Sequence, residues 1–132
     1  MTDTKSPAAV VQAIIAGHHV DIEAGLRLIA PESLDQGVRV TREDWRRKWE
    51  RMRADCPDME VITEHSVENG EWVANRYTLR GTHTSDLFGA APTGKPFVTG
   101  GVDMVRVVDG LLVEHWGYVA PLQGAPVSAD RQ

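Results

Sequence analysis

The sequence of 132 residues is poor in cysteine, in tyrosine and phenylalanine, and in long apolar runs. Its single cysteine, Cys56, excludes an internal disulfide and any metal site made of several cysteines. No apolar run approaches the ~20 residues that cross a bilayer, so we expect no membrane span. Residues 1–5 lack a basic segment followed by an apolar core, so we expect no signal peptide and a cytoplasmic protein.

Positive charge is also scarce. Fourteen Lys and Arg against nineteen Asp and Glu give a net charge of -5. Nucleic acids and anionic membranes attract positively charged surfaces, so neither is expected as a partner. The histidines lack the spacing of metal ligands, and the glycines match neither a dinucleotide nor a Walker phosphate loop. We therefore expect no metal and no cofactor.

The composition indicates a single globular domain. The length and a hydrophobic fraction of 42% are ordinary for one soluble domain over residues 1–132. We expect the core to span about residues 8–120. The tail, residues 121–132, is small, polar and rich in proline, so it should be loosely ordered.

Two helices are expected at the start of the chain. Ser6-Pro7 is typical of a helix start, and apolar residues follow it at helical spacing. A short second helix is expected after Asp21 and is ended by Pro31. The polar segment 32–39 should then be irregular.

A third helix should begin at Thr41, where the sequence contains a variant capping box, and end at Cys56. Trp45 and Trp49 form an apolar stripe on it that should pack over a sheet and close a cavity. The many cations of this helix, including Lys48, are most simply a solvated face.

The remainder of the chain is typical of a sheet with about four long strands. Its segments are rich in β-branched and aromatic residues, and Asn69-Gly70 and Asp109-Gly110 are typical hairpin turns. This order predicts an α+β fold with three N-terminal helices packed on a curved, mostly antiparallel sheet, and a ligand cavity between them. The expected strands are 59–66, 71–84, 97–108 and 111–119.

Alternation along the strands places Asp103, a carboxylate among apolar neighbours, on the cavity face. With a two-residue loop at the last hairpin Asp103 is opposite Trp116, and with a three-residue loop it is opposite His115. The second register makes an Asp–His pair suited to proton transfer, and both registers remain open. The other residues expected on this face include Val73, Asn75, Tyr77, Leu79 and His83 on one strand, and Phe97, Thr99, Gly101 and Val105 on the next.

Several short segments carry a resemblance. They are Arg80-Gly81-Thr82-His83-Thr84, Leu87-Phe88-Gly89, Pro92-Thr93-Gly94-Lys95, Val102-Asp103-Met104-Val105-Arg106, Asp109-Gly110 and Glu114-His115-Trp116. Together they resemble the SnoaL-like polyketide cyclase family of the nuclear-transport-factor-2-like superfamily, over roughly residues 8–120.

The resemblance implies a conical α+β barrel with a deep pocket, usually a homodimer through the outer sheet face, without cofactor or metal. It also implies an intramolecular aldol condensation in which a pocket acid/base forms an enolate. The chain differs from the family at the residues that would carry out this chemistry. The family's acid/base Asp falls at Gly117, its His at Asp103 and its Gln at Gly101, so the carboxylate is expected to have moved across the hairpin to Asp103.

The sequence therefore predicts a cofactor-free acid/base enzyme for a small hydrophobic molecule with a carbonyl group. We expect a polyketide or ester cyclase or a related isomerase, of the lyase or isomerase class. Two alternatives stay open: a ligand-binding module without chemistry, and a hydrolase or dehydratase using the same pocket. The expected catalytic residues are Asp103, His115 and His83, with acid and base not assigned among them. The expected substrate-binding residues are Asp35, Trp49, Asn75, Tyr77, Phe88, Phe97, Val105 and Gly117.

The outward face of the expected sheet is a second candidate surface. Trp72, Thr78, Met104 and Trp116 are together too apolar for a bare sheet face. We expect them to form a homodimer contact. Coverage by the C-terminal tail is the alternative.

Overall fold

The computed structural model describes residues 6–17, 20–86, 89 and 91–122. Within these ranges the chain forms three helices, α1 (Pro7–Gly17), α2 (Ile22–Leu26) and α3 (Arg42–Asp55). The six strands are β1 (Ile29–Asp35), β2 (Val38–Thr41), β3 (Glu60–Asn69), β4 (Trp72–Thr82), β5 (Pro96–Val108) and β6 (Leu111–Val119). No helix in this part of the chain is both long and apolar enough to cross a membrane.

Polar side chains cap the N-termini of α2 and α3. The sequence of α3 also explains how this helix packs. The Thr41 hydroxyl accepts a hydrogen bond from Asp44 N, and the Asp44 carboxylate accepts one from Thr41 N, which is the capping box the sequence predicted. Trp45 and Trp49 follow one turn apart and are only 4% and 5% exposed. They belong to the same buried cluster as residues of β4 and β5, so α3 turns its tryptophans toward the sheet.

The strands form one sheet in the order β2-β1-β6-β5-β4-β3. β1 runs parallel to β6, and all other neighbours in this sheet are antiparallel. The predicted α+β fold, with helices packed on a mostly antiparallel sheet, is confirmed. The sheet is not closed into a barrel, because β2 and β3 are its two edges and do not pair with each other.

Residues 29–41 form the β1–β2 hairpin, where the sequence predicted the end of a helix and an irregular segment. Helix α2 already ends at Leu26, and Ile29, expected on that helix, is the fully buried first residue of β1. Gln36 and Gly37 make the turn, with φ angles of 54° and 83°. The prediction was wrong because β2 is an edge strand with β1 beside it, and both are largely exposed or half-buried, so hydrophobic alternation is weak there.

The β5–β6 hairpin has a register that neither predicted alternative describes. Its loop has two residues, but a bulge then adds one residue to β6 and shifts the pairing. Asp103 therefore pairs with Gly117, not with Trp116 or His115. His115 pairs with Val105, two residues along β5 from Asp103, so it still lies on the same face as Asp103.

Buried residues form two clusters. The first contains residues of all three helices together with Val73, Val105 and Leu112 of the sheet. Leu122 is only 2% exposed, so the start of the tail that was expected to be loose packs in the second cluster; residues 123–132 lie outside the described part of the chain. The second cluster, called the far cluster below, consists of Cys56, Met59, Leu79, Phe97 and Leu122.

Candidate active site

A cavity of about 350 Å³ is enclosed by α1, α3 and the sheet. Apolar side chains from all three make up most of its walls. The polar side chains among its lining residues are few: Gln36, Lys48, Tyr77, Asp103 and His115. The apolar side chains include Val11, Ile14, Trp45, Trp49, Met52 and Leu79.

Asp103 and His115 come together at this cavity. The distance from Asp103 Oδ2 to His115 Nε2 is 3.7 Å, which is within ion-pair range although longer than a hydrogen bond. Gly117 makes the approach possible, because a Cβ at this position would lie 3.0 and 3.2 Å from two atoms of the His115 ring. The ring thus occupies space that a side chain at residue 117 would need.

Asp35 binds the opposite side of the same imidazole. β1 pairs with β6 in parallel and places Asp35 beside His115, and Asp35 Oδ1 lies 2.9 Å from His115 Nδ1. Because a carboxylate can only accept, Nδ1 carries the hydrogen and donates it. Lys48 Nζ donates to the other oxygen, Oδ2, of Asp35 over 2.8 Å. Lys48, Asp35, His115 and Asp103 therefore form a continuous row of alternating donors and acceptors.

These contacts shift two pKa values. Burial alone would raise the pKa of Asp35, but hydrogen bonds from His115 and Lys48 outweigh it and lower that pKa below 3.8. Burial likewise disfavours the charged imidazole, but the carboxylates of Asp103 and Asp35 outweigh burial and raise the pKa of His115 above 6.5. Asp35 is thus ionised at neutral pH, and the charged form of His115 is favoured relative to a free imidazole.

Asn75 and Tyr77 reach Asp103 from β4. Asn75 is 3% exposed, and its Nδ2 donates a 2.9 Å hydrogen bond to Asp103 Oδ1, which leaves Oδ2 to face His115. The Tyr77 hydroxyl has its pKa raised to about 12, first by burial and then by the negative charge of Asp103. It therefore remains a neutral hydrogen-bond donor at physiological pH. Gly101 leaves room for the Tyr77 ring, since a Cβ there would lie 2.6 Å from a ring carbon.

Some of the other predicted site residues line the cavity and others do not. Trp49, Val105 and Gly117 line the cavity as expected. His83 and Phe97 do not line it; their rings lie 6.3 Å apart, edge to face, and Phe97 belongs to the far cluster. His83 is nevertheless buried, with its Nδ1 3.4 Å from the Thr93 hydroxyl. Phe88 lies outside the described residues.

Sequence reasoning missed Lys48 and Gln36. Lys48 was assigned to a solvated helix face, yet it follows Trp45 by three residues, and its Nζ lies 4.7 Å from the centre of that indole. Its position next to Trp49 on the edge of the apolar stripe was the available signal. Gln36 carried no such signal, because the β1–β2 turn was not predicted.

Trp45 connects helix α3 to the sheet at this site. Its ring packs edge-on against His115 with 5.6 Å between centres, and its Nε1 donates to Ser33 Oγ over 2.9 Å. Ser33 and Asp35 lie on the same strand, so this bond fixes α3 relative to the carboxylate.

The chemistry this arrangement supports is proton transfer. An acid/base pair, an orienting carboxylate and a neutral phenol surround one end of an apolar space. Among the described residues, no three His, Cys, Asp or Glu side chains form a group that could hold a metal ion.

Comparison with known proteins gives concordant results. A model of the SnoaL-like polyketide cyclase family matches residues 8–123. The aklanonic acid methyl ester cyclases DnrD of Streptomyces peucetius and DauD of Streptomyces sp. (strain C5) are each 38% identical to the chain over 48 residues. These matches cover 36% of the chain and 33% and 30% of the two relatives, so the chain spans about a third of their length.

Solved structures extend the likeness to most of the chain. IdmH from Streptomyces antibioticus is 31% identical and superposes with a TM-score of 0.76 over 87% of this chain and 92% of its own. A SnoaL-like polyketide cyclase from Agrobacterium tumefaciens is 14% identical and superposes with a TM-score of 0.82 over 92% of this chain and 94% of its own, which shows a shared fold.

Proposed function

The chain belongs to the SnoaL-like polyketide cyclase family, and on that premise we propose that it is a cofactor-free enzyme that closes a ring in a small hydrophobic polyketide. The observation that carries the proposal is the row Asp35–His115–Asp103 at an otherwise apolar cavity. Apolar walls suit a fused or aromatic carbon skeleton, and the row supplies the proton chemistry at its carbonyl groups.

Asp103 and His115 act as one proton-transfer unit. Asp103 Oδ2 and His115 Nε2 both face the cavity, while Asn75 and Asp35 hold the far atoms of the two groups. Because the two groups face each other across 3.7 Å, we assign the acid and base roles to the pair jointly. Asp35 is the positioning residue that keeps the proton on Nδ1 and leaves Nε2 for chemistry.

The proposed reaction is an intramolecular aldol addition. The pair removes a proton from a carbon next to a carbonyl, and the electron pair moves onto the carbonyl oxygen to give an enolate. The enolate carbon then attacks a second carbonyl of the same molecule and forms the ring bond, and the new alkoxide takes back the proton. No atom is gained or lost, so side chains alone can carry out the reaction, with the Tyr77 hydroxyl available to donate to an oxyanion.

The position of Asp103 supports the proposal despite Gly117. The two residues pair directly across β5 and β6, and Asp103 Cβ is 3.7 Å from the place a Cβ on Gly117 would occupy. A carboxylate on residue 103 therefore reaches the space that one on residue 117 would use, from the opposite strand.

Mass spectrometry of a trial reaction tests the proposed function. Aklanonic acid methyl ester, the compound named for the two Streptomyces relatives, is the first substrate to try. Ring closure gives a product of unchanged mass and new retention time. An acid product lighter by one CH₂, with release of methanol, would indicate a hydrolase, and a loss of one water a dehydratase. Binding without any product and without exchange of α-protons in deuterated water would favour a binding module and contradict the enzyme.

We also propose that the protein is a cytoplasmic homodimer that pairs through the outer sheet face. Met104 and Val102 are each 49% exposed there and Tyr118 is 60% exposed, a patch of the kind that marks interfaces. The one cysteine remains a thiol, as is usual in reducing compartments. Light scattering should give twice the 14.5 kDa chain mass, and Met104→Lys should halve it. A wild-type monomer would contradict the dimer.

A further inference from the structure

Gln36 occupies a backbone conformation that its side chain does not favour. Among the described residues, two non-glycine residues have positive φ: Asp109 at 52° and Gln36 at 54°. Asp is well suited to the first position of a two-residue hairpin turn, because its short side chain tolerates the left-handed region. Gln has no such advantage, so its residue type does not explain why Gln36 adopts the left-handed conformation.

The turn that contains Gln36 is fastened to three consecutive residues of β6. Gln36 N donates to the His115 carbonyl over 3.0 Å. A Cβ on Gly37 would lie 3.2 Å from the Trp116 ring, so that ring packs over the turn. Gly117 N then donates to Gln36 Oε1. These contacts place the side-chain amide of Gln36, an exposed residue, beside the active strand.

In this arrangement the oxygen of the Gln36 amide is hydrogen-bonded, and its NH₂ group is available. Its oxygen is taken by Gly117 N, and no described residue accepts a hydrogen bond from its NH₂ group. Gln36 lines the cavity together with Gly117, Asp103 and His115, so this donor belongs to the same site as the acid/base pair. Lys48, the cationic donor of the cavity, is already bound to Asp35.

We propose that the Gln36 side-chain amide donates a hydrogen bond to the substrate oxygen that becomes negative in the enolate. This assignment rests on the proposed function and names the group that stabilises its intermediate. A neutral donor held in place and aimed at a developing oxyanion stabilises the negative charge. The Gly117 N–H orients the amide, and the cost of the left-handed backbone is compensated by the placement of the donor.

Binding of an oxyanion to Gln36 variants tests this proposal. The probe is an electron-poor naphthol that is ionised at pH 7, and the matched neutral ligand is the same ring system without the hydroxyl. Gln36→Glu keeps an oxygen for Gly117 N but removes the NH₂ donor. Gln36→Met removes both groups without adding charge. Affinities are measured by titration calorimetry, and folding is checked by thermal unfolding.

We expect both variants to bind the naphtholate about 10- to 100-fold more weakly than wild type, as loss of a hydrogen bond to a charged group predicts. Affinity for the neutral ring should not change. Weaker binding by Gln36→Glu but not Gln36→Met would reflect charge repulsion and would overturn the proposal. A wild-type protein with no preference for the naphtholate would also overturn it while leaving the apolar cavity intact. Failure of wild type to bind either ring would instead contradict the proposed function.

Discussion

Two histidines, half-buried His115 and buried His83, lie in regions of opposite character. His115 has a carboxylate on each side, Asp35 on Nδ1 and Asp103 near Nε2, and it lines the cavity. His83 packs its ring against Phe97 beside the far cluster and faces the hydroxyl of Thr93. From the sequence, both were candidates for proton transfer.

The difference shows that strand face alone does not decide the electrostatic surroundings of a histidine. Neighbouring carboxylates keep the His115 cation accessible in spite of burial, since opposite charges offset the loss of solvation. The His83 backbone meanwhile fastens a loop, accepting hydrogen bonds from Thr93 N and Gly94 N and donating to the Lys95 carbonyl. The region around His115 has groups suited to proton transfer, whereas the backbone of His83 holds a loop in place.

The sharpest contrast should come from removing one polar group in each region. We expect Asp103→Asn to lower kcat by ~10²–10⁴, because the pair loses its carboxylate while shape is kept. We expect His83→Asn to lower the free energy of unfolding by about 1–3 kcal/mol and to leave kcat per folded molecule nearly unchanged. Steady-state kinetics and thermal unfolding measure both. Equal losses of kcat in the two variants would contradict the proposed difference between the two regions.

A glycine in each region gives a second, smaller contrast. A Cβ on Gly117 would press on the His115 ring, so Gly117→Ala should displace the imidazole and lower kcat about 10- to 100-fold. A Cβ on Gly81 would lie 2.7 Å from Cys56 Sγ, beside the far cluster. Gly81→Ala should therefore cost about 1–3 kcal/mol of stability.

Kinetics and denaturant unfolding of both glycine variants provide the check. If Gly81→Ala slowed turnover per folded molecule as much as Gly117→Ala, the far cluster would be coupled to catalysis and the comparison would fail.

The smallest expected effect is a shift in pH dependence. Asp35→Asn removes a carboxylate that favours the His115 cation, so the pKa of His115 should fall. Lys48→Met removes a positive charge that disfavours it, so the pKa should rise. Histidine NMR titration and the pH profile of kcat/KM measure both shifts. Asp58→Asn is the matched control near the far cluster, where the Asp58 pKa is lowered by hydrogen bonds from Thr82.

The sign of the accompanying stability change also differs between His115 and Asp58. A raised pKa for His115 contributes stability below pH 6.5 that is lost as pH rises through the folded-state value. A lowered pKa for Asp58 contributes stability above pH 3.8 that is lost as pH falls through its folded-state value. Shifts of the same sign in Asp35→Asn and Lys48→Met would contradict the electrostatic account.

The strands of the C-terminal half could be predicted because each has a buried face and a clear turn signal. Leu111–Val119 was predicted with the bounds it has, and Asp103 was placed on the buried face. The register was not predictable, since the bulge in β6 has no glycine or other marker in the sequence.

Prediction was weaker for the half of the site that comes from β1. Asp35 was expected only as a substrate-binding residue, and its bond to His115 was not foreseen. No local pattern shows that β1 pairs with β6, because a parallel pair joins segments that are distant in the chain. Gln36 was missed because the β1–β2 turn was not predicted, and the bond from Lys48 to Asp35 was missed together with β1.

The parallel pairing of β1 with β6 also bears on the order in which the protein folds. β3, β4, β5 and β6 follow one another and pair as consecutive antiparallel neighbours, so their contacts close short loops. The bond between Asp35 and His115 instead closes a separation of 80 residues, which costs more chain entropy and is expected late. During synthesis, Asp35 leaves the ribosome long before its histidine exists. The Asp35–His115 contact of the proposed site therefore forms only when β1 docks on β6.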